Sequence, residues 1–271
     1  LQLLLGRQLL RAVGAFAWIG GTWWAATEAV HLLDAALGRP ALSAPGWAVT
    51  AAYSVALFLA WDASRYVLHR LMHRIPFLWA LHQVHHSAEV LTPLTFHRIH
   101  PIESGLYQAR NVIVTAVVVA PFYWLFRGDL TVWTVLGVHG LGFALNAVMG
   151  NLRHSHVWWR FPAWLERWML SPAQHQLHHS ADPAHFDTNF GTWFALWDRL
   201  GGTLRTSPER APTAFGVPAD ERNHGHDLIS AWLGPLRAWG RALRDRARTP
   251  HTLAALLGLL VATPARATGE P

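Results

Sequence analysis

The sequence contains no cysteine. Disulfides, thiolate zinc sites, iron–sulfur clusters and cysteine nucleophiles are thereby excluded, and cysteine usage gives no reading of the redox compartment. Lysine is absent too, so all 22 basic residues are arginines. They are scattered between apolar runs and form no aromatic-interleaved patch, so the formal charge of +6 gives little support to nucleic-acid binding. Charge of either sign is scarce. Charged residues make up 14% of the 271 positions and hydrophobic ones 52%, whereas soluble domains carry roughly a quarter charged residues. An ordinary soluble globule does not fit, and disorder is excluded. Sixteen tryptophans and a mean hydropathy of +0.17 point to lipid as the main solvent.

Four runs are long and apolar enough to cross about 30 Å of hydrocarbon: Leu9 to Val30, Trp47 to Leu68, Asn111 to Phe126 and Leu130 to Met149. Only Arg127-Gly128-Asp129 separates the last two, which read as a tight helical hairpin. Arginine placement sets the orientation, because cytoplasmic loops collect positive charge. Arg7 and Arg11 precede the first run, Arg65, Arg70, Arg74, Arg98 and Arg110 lie around the second-to-third connection, and Arg153, Arg160, Arg167, Arg199 and Arg205 follow the fourth. The opposite loops hold Arg39 and Arg127. The sequence thus predicts an all-α integral membrane protein with four transmembrane helices and a histidine-rich helical cap on the cytoplasmic side, in a bacterial inner membrane. Val157 to Leu170, with four tryptophans, reads as an interfacial helix or a Trp-lined packing helix. Residues 1–240 are expected to form one membrane-embedded domain, and 241–271 a peripheral or disordered tail. The first residue is Leu1 in place of methionine, which reads as a fragment or processed form.

Eighteen histidines outnumber the sixteen acidic residues. His69 and His73, four apart, share one face of a helix. His82, His85 and His86 form HxxHH, His154 and His156 form HxH, and His175, His178 and His179 repeat HxxHH. Adjacent His85 and His86 diverge by about 100° on a helix, so they serve two metals better than one. Imidazole suits zinc, copper, iron and nickel. Ten such side chains are too many for a single ion, and a dinuclear site is predicted. His97 and His100 are interrupted by Pro101 and read as supporting or structural. His139, inside the fourth run, reads as ligand, substrate-tunnel residue or interhelical hydrogen-bond partner. His31, His224, His226 and His251 stand alone, and His185 follows the last box at an irregular spacing. Metal-bound imidazoles usually donate their second N–H to a carboxylate or carbonyl. Asp62, seven residues before His69, is expected to take that role; Asp187, Asn189 and Asp198 either do the same or act as turn formers and caps.

These residues resemble the fatty acid hydroxylase and sterol desaturase superfamily of integral membrane di-iron oxygenases. The resemblance runs from about Asp62 to Thr203. It rests on Asp62 through Tyr66 to His69-Arg70 and His73, on Leu81-His82-Gln83-Val84-His85-His86-Ser87, and on Arg98-Ile99-His100-Pro101-Ile102-Glu103. It continues with Ser171-Pro172 through His175 to His179, Asp187-Thr188-Asn189-Phe190-Gly191, and Trp197-Asp198-Arg199-Leu200-Gly201-Gly202-Thr203. The family's closing motif usually has Phe where Gly201 stands. The resemblance implies two irons, with zinc an alternative occupant after purification, held by His69, His73, His82, His85, His86, His154, His156, His175, His178 and His179. The third box is open between His154, His156 and His139.

The implied activity is dioxygen-dependent attack on an unactivated C–H bond of a lipid: a fatty acyl chain, a sterol or hopanoid-like lipid, a carotenoid or an ether lipid. Hydroxylation is the leading outcome and desaturation the alternative. The sequence has no Gly-rich dinucleotide fingerprint and no cysteine-based electron site. Electrons are therefore expected from a separate reductase, a cytochrome b5-like protein or a ferredoxin. The rival from another class is a non-catalytic membrane zinc protein or metal carrier. A carrier should place ligands across its spans, whereas these candidates sit beyond one set of helix ends.

Overall fold

The computed structural model describes residues 2–40, 42–127, 149–218 and 220–247. Among them the fold is helical, with no strand beyond the isolated antiparallel bridges Met169–Phe194 and Ser180–Phe215. Three long helices form its body: α1 (Gln2–Leu37), α2 (Gly46–Arg74) and α4 (Pro101–Leu125). The short α3 (Pro76–His86) packs between α2 and the amphipathic α8 (Leu228–Ala247). Three small helices complete the cap: α5 (Ala163–Glu166), α6 (Pro172–His178) and α7 (Leu196–Gly201).

Proline sets several boundaries. Ile75 precedes Pro76 and is forced into extended backbone, which ends α2 and turns the chain so that Pro76 opens α3 at a first-turn position. Pro101 opens α4 in the same way behind the N-cap His100, whose Nδ1 accepts from the Ile102 N–H. Pro172 opens α6 behind a reciprocal box in which Ser171 Oγ accepts from Gln174 N and Gln174 Oε1 accepts from Ser171 N. Proline lacks an N–H that the first turn would leave unpaired, so it costs little there.

α4 packs along both α1 and α2. Val49, Tyr53 and Leu57 of α2 are almost fully buried against Val118, Val119 and Phe122 of α4. Large apolar side chains elsewhere on these helices face outward, among them Trp23 and Trp24 on α1, Val55 on α2, and Ile113 and Val117 on α4.

Among the described residues α4 alone is long and apolar enough to cross a membrane. It contains nearly all of the expected third span. The first and second expected spans fall within α1 and α2, which have the length, with 36 and 29 residues. Their tryptophans, tyrosine and polar residues hold the mean hydropathy down. Apart from Met149, the fourth expected span lies outside the described residues, as does His139. Helical backbone at 149–153 then leads into the third histidine box.

A continuous helix over Val157 to Leu170 is not formed. Helix is confined to Ala163–Glu166, beginning after Pro162. Glu166 does not face a headgroup layer: it is buried, accepting from Ser171 Oγ at 2.7 Å, Ser207 Oγ at 2.6 Å and Ser207 N at 2.9 Å. At the far end, α8 runs through residue 240 to Ala247, so the first residues of the expected tail continue a helix.

The segment 187–191 positions the cap. Asp187 and Asn189 adopt left-handed backbone, φ 58° and 56°, which short side chains that hydrogen-bond locally tolerate best. Asn189 anchors it through Nδ2 to Gln174 O and Oδ1 from Arg205 N. Gly191 follows where no side chain fits: a Cβ would lie 2.6 Å from Leu170 Cδ1, 2.7 Å from Asp198 Oδ2 and 2.9 Å from the backbone oxygen of Phe194. Overpacking of this kind typically costs about 1–3 kcal/mol. Gly191→Ala should therefore lower the thermal unfolding midpoint of detergent-solubilised protein, and an unchanged midpoint would show that the segment shifts freely.

Candidate metal centre

Among the described residues nine histidines converge in two adjacent groups. His69, His73, His82, His86 and His178 form one, and His85, His154, His175 and His179 the other; within each group one ligand nitrogen per residue lies within 4.8 Å of every other. The helical period explains the partition. In α3, His82 and His86 are one turn apart and join the first group, while His85, rotated by about 100° from His86, joins the second. In α6 and its C-cap the pattern is inverted: His175 and His179 join the second group, and His178 crosses to the first. α2 adds His69 and His73, again one turn apart, and the chain after 149–153 adds His154. All are buried except His73, which is partly exposed.

Hydrogen bonds on the outer side of the rings fix where the protons sit. His69 Nδ1 donates to Phe190 O at 2.7 Å, His178 Nδ1 to Thr188 O at 2.7 Å, and His154 Nδ1 to Gly150 O at 3.0 Å. A carbonyl only accepts, so each of these Nδ1 atoms carries the hydrogen and each neutral ring keeps a bare lone pair on Nε2. His82 Nδ1 likewise donates to Glu103 Oε1 at 2.7 Å, a carboxylate fully buried at the start of α4. The consequence is severe for an empty cage. The lone pair of His69 Nε2 faces His82 Nε2 at 3.1 Å. His154 Nε2 faces both His85 Nε2 at 3.2 Å and His175 Nε2 at 3.0 Å, and its one lone pair can accept from only one of them. Further buried ring nitrogens, His73 Nε2, His86 Nε2, His178 Nε2 and both of His179, have no hydrogen-bond partner among the described residues. Each unpaired buried group costs about 1–3 kcal/mol. A cation in each group would convert facing lone pairs from repulsion into ligation, so the donor set fits two ions that accept imidazole.

Burial also keeps the rings neutral. Loss of water pushes His154 and His178 down to about 3. The same cause, reinforced by neighbouring histidines, holds His85, His86, His175 and His179 well below the usual imidazole range. Ligation by these six rings at neutral pH therefore meets little competition from protons.

The remaining sequence candidates take other places. His156 is exposed and joins neither group, because the chain turns outward after Ser155. Asp62 does not touch His69, whose outer nitrogen is taken by Phe190 O. Its carboxylate instead accepts from Trp193 N, Phe194 N and Trp197 Nε1 at 2.9–3.0 Å and so pins α2 to the 190s segment. Asp198 accepts from Phe190 N and Gly191 N at 2.8 Å and from Thr203 Oγ1 at 2.6 Å. It acts on the centre through the Phe190 carbonyl, and Asn189 acts through the same segment. His100 is the α4 N-cap, with Nε2 donating to Trp232 O at 2.9 Å, and contacts neither group. Glu103 is the residue sequence reasoning missed as a site residue. Its signal was a carboxylate in the first turn of an otherwise apolar helix, three residues after His100.

A family model for fatty acid hydroxylases matches residues 54–203, which contain all nine clustered histidines. The chain belongs to the fatty acid hydroxylase family. This family member is 32% identical over 152 residues to ornithine lipid hydroxylase OlsE of Rhizobium tropici, covering 56% of this chain and 41% of that protein. It is 25% identical over 179 residues to human alkylglycerol monooxygenase, covering 65% of this chain and 36% of the relative. It is 26% identical over 156 residues to Delta(7)-sterol 5(6)-desaturase of Candida glabrata, covering 56% and 36%. The matches thus span less than half the length of each of these relatives. No solved structure matches the chain.

Two expectations follow. Glu103→Ala strips the His82 ring of its acceptor, and loss of such an orienting partner typically costs about 10–100-fold in metal affinity; chelator competition measures it, and unchanged affinity would remove Glu103 from the centre. For the metal-free protein, the depressed pKa of His154 and His178 means that the unfolded chain binds more protons between about 3 and the ordinary imidazole value near 6.5. Apoprotein stability should accordingly be retained above pH 6.5 and fall as pH drops toward 3, as read by thermal unfolding in detergent.

Proposed function

We propose that the protein is a membrane di-iron oxygenase that hydroxylates an unactivated C–H bond of a lipid, using dioxygen and electrons from a separate donor. The observation that carries this reading is the pair of imidazole groups, five and four strong and buried apart from the partly exposed His73, with lone pairs turned inward where Phe190 O, Thr188 O, Gly150 O and Glu103 take the outer N–H. His69, His73, His82, His86 and His178 would hold one iron, and His85, His154, His175 and His179 the other. When bound, the irons would supply dioxygen activation and hydrogen abstraction, which is the cofactor's chemistry. The chain's own contribution is orientation and dryness. Phe190 closes over one side, with its ring centroid 5.0–5.6 Å from those of His69, His73 and His178, and the burial of the cap keeps water from the reacting centre.

A lipid substrate is supported by the names of the relatives and by the outward apolar faces of α1, α2 and α4, which suit direct access from hydrocarbon. The four-span topology, with both groups on the cytoplasmic side of a bacterial inner membrane, belongs to this proposal, as does a reductase, cytochrome b5-like protein or ferredoxin as donor. Desaturation of a lipid is the second reading, favoured by the similarity to a sterol desaturase. Both outcomes begin with hydrogen abstraction and differ in the fate of the resulting radical.

The test is metal analysis of the detergent-purified chain with Mössbauer spectroscopy on iron-57 material, followed by oxygen uptake with a reductase and lipid extract. About two coupled irons per chain and an oxidised lipid are expected. Stoichiometric zinc that persists after iron-replete growth, with no oxygen uptake, would favour the metal-carrier or structural reading. His178→Ala should keep the protein in the membrane fraction but lower activity by more than the roughly 10–100-fold typical of an orienting partner. Full turnover in that variant would remove His178 from the ligand set.

A further inference from the structure

Beside the histidine groups lies a cluster of three arginines that the metal centre does not use. Arg65 is on α2, Arg110 on α4, and Arg153 at the end of the helical backbone at 149–153, one residue before His154. Each is stacked on an aromatic ring, with guanidinium carbons 5.2 Å from the ring centre of Tyr107, 4.5 Å from Trp61 and 4.7 Å from Trp193, respectively. The charge of Arg65 acts on both Arg110 and Arg153, and the carboxylate whose charge reaches those two is Asp62. Among the described residues no ion pair joins Asp62 to any of the three arginines, and its oxygens accept from three N–H donors of the 190s segment. Positive charge is therefore in excess.

Two of these arginines differ in how their N–H groups are used. Arg110 donates through Nη1 to Trp61 O at 2.7 Å and to Ser64 Oγ at 3.0 Å, and through Nη2 to Asn111. Arg153 is 5% exposed, yet its Nε and Nη2 have no partner among the described residues. Those two nitrogens form one edge of the guanidinium, with parallel N–H bonds, the fork that grips a carboxylate or a phosphate bidentately. An unsatisfied charged fork in a buried place is costly.

We propose that the Nε/Nη2 edge of Arg153 receives the anionic headgroup of the lipid substrate, a carboxylate or a phosphate, within the positive field of Arg65. The substrate role rests on the lipid-oxidation reading; the anion site does not. Since His154 is the next residue, an anion held here keeps the nearest carbons of the chain beside the metal groups, so oxidation falls toward the headgroup end.

The test is binding of tritiated hexadecanoate to the full-length, metal-loaded chain in detergent at pH 8, competed by hexadecyl phosphate and by hexadecanol. Either anion should compete about tenfold or more better than the uncharged alcohol, and the stronger of the two tells a carboxylate site from a phosphate site. Arg153→Gln should weaken anion binding by about 10–100-fold, the range expected for one or two charge-assisted hydrogen bonds, with hexadecanol affinity and metal content unchanged. Arg153→Lys should retain part of the preference. Equal competition by hexadecanol in the unsubstituted protein would overturn the proposal even where Arg153→Gln fails to fold. An undiminished anion preference in Arg153→Gln or Arg153→Lys would overturn it as well. Anion preference in a chain that holds zinc and consumes no oxygen would instead sink the oxygenase reading and leave the anion site standing.

Discussion

Nitrogen lone pairs that face one another without a proton between them are the constraint on which this structure turns. Neutral imidazoles do not gather at 3 Å unless something outside the cage holds them, because nothing inside it attracts until a cation arrives. Here the holding is done by acceptors on the far side of the rings: three backbone carbonyls and one buried carboxylate. Much of the cap can be understood as the means of delivering those acceptors. The left-handed residues of 187–189, the Asp198 clasp on Phe190 and Gly191, and the proline-started α4 that carries Glu103 each place one of them.

The same logic shows what the sequence could and could not display. The histidine boxes are legible because ligand spacing and helical period are both sequence properties, and the divergence of neighbouring residues on a helix suffices to suggest two ions. Acceptors are a different matter. A carbonyl has no sequence signature, so Phe190, Thr188 and Gly150 could not be singled out. The carboxylate role went to Asp62 on helical spacing alone, although tertiary packing draws Asp62 to the 190s segment and brings Glu103 from another helix to His82. His156 was indistinguishable from His154 in an HxH pair, since the outward turn after Ser155 depends on non-local contacts.

Architecture was legible to a similar degree. Helical content and the apolar character of α4 follow from composition. Tryptophan-rich runs such as those in α1 and α2 are harder to read, because an indole suits an interface, a span or a packed core equally well. The segment around Val157 to Leu170 shows the difficulty: its tryptophans suit a continuous interfacial helix or a packing helix, while Pro162 and the inward pull of Ser171 and Ser207 on Glu166 break it into a short turn of helix.

The inverted sorting of the two HxxHH boxes ties the two metal groups to common supports. Because α3 and the end of α6 each contribute to both, the offset between the groups is written into two pairs of adjacent residues, His85 with His86 and His178 with His179, whose ring centres lie 5.6 Å and 5.4 Å apart. Neither α3 nor the end of α6 can drift without disturbing both groups. A slip in the register of either element would misplace ligands on both sides at once, so the pair forms one mechanical unit whose spacing comes from the pitch of the backbone.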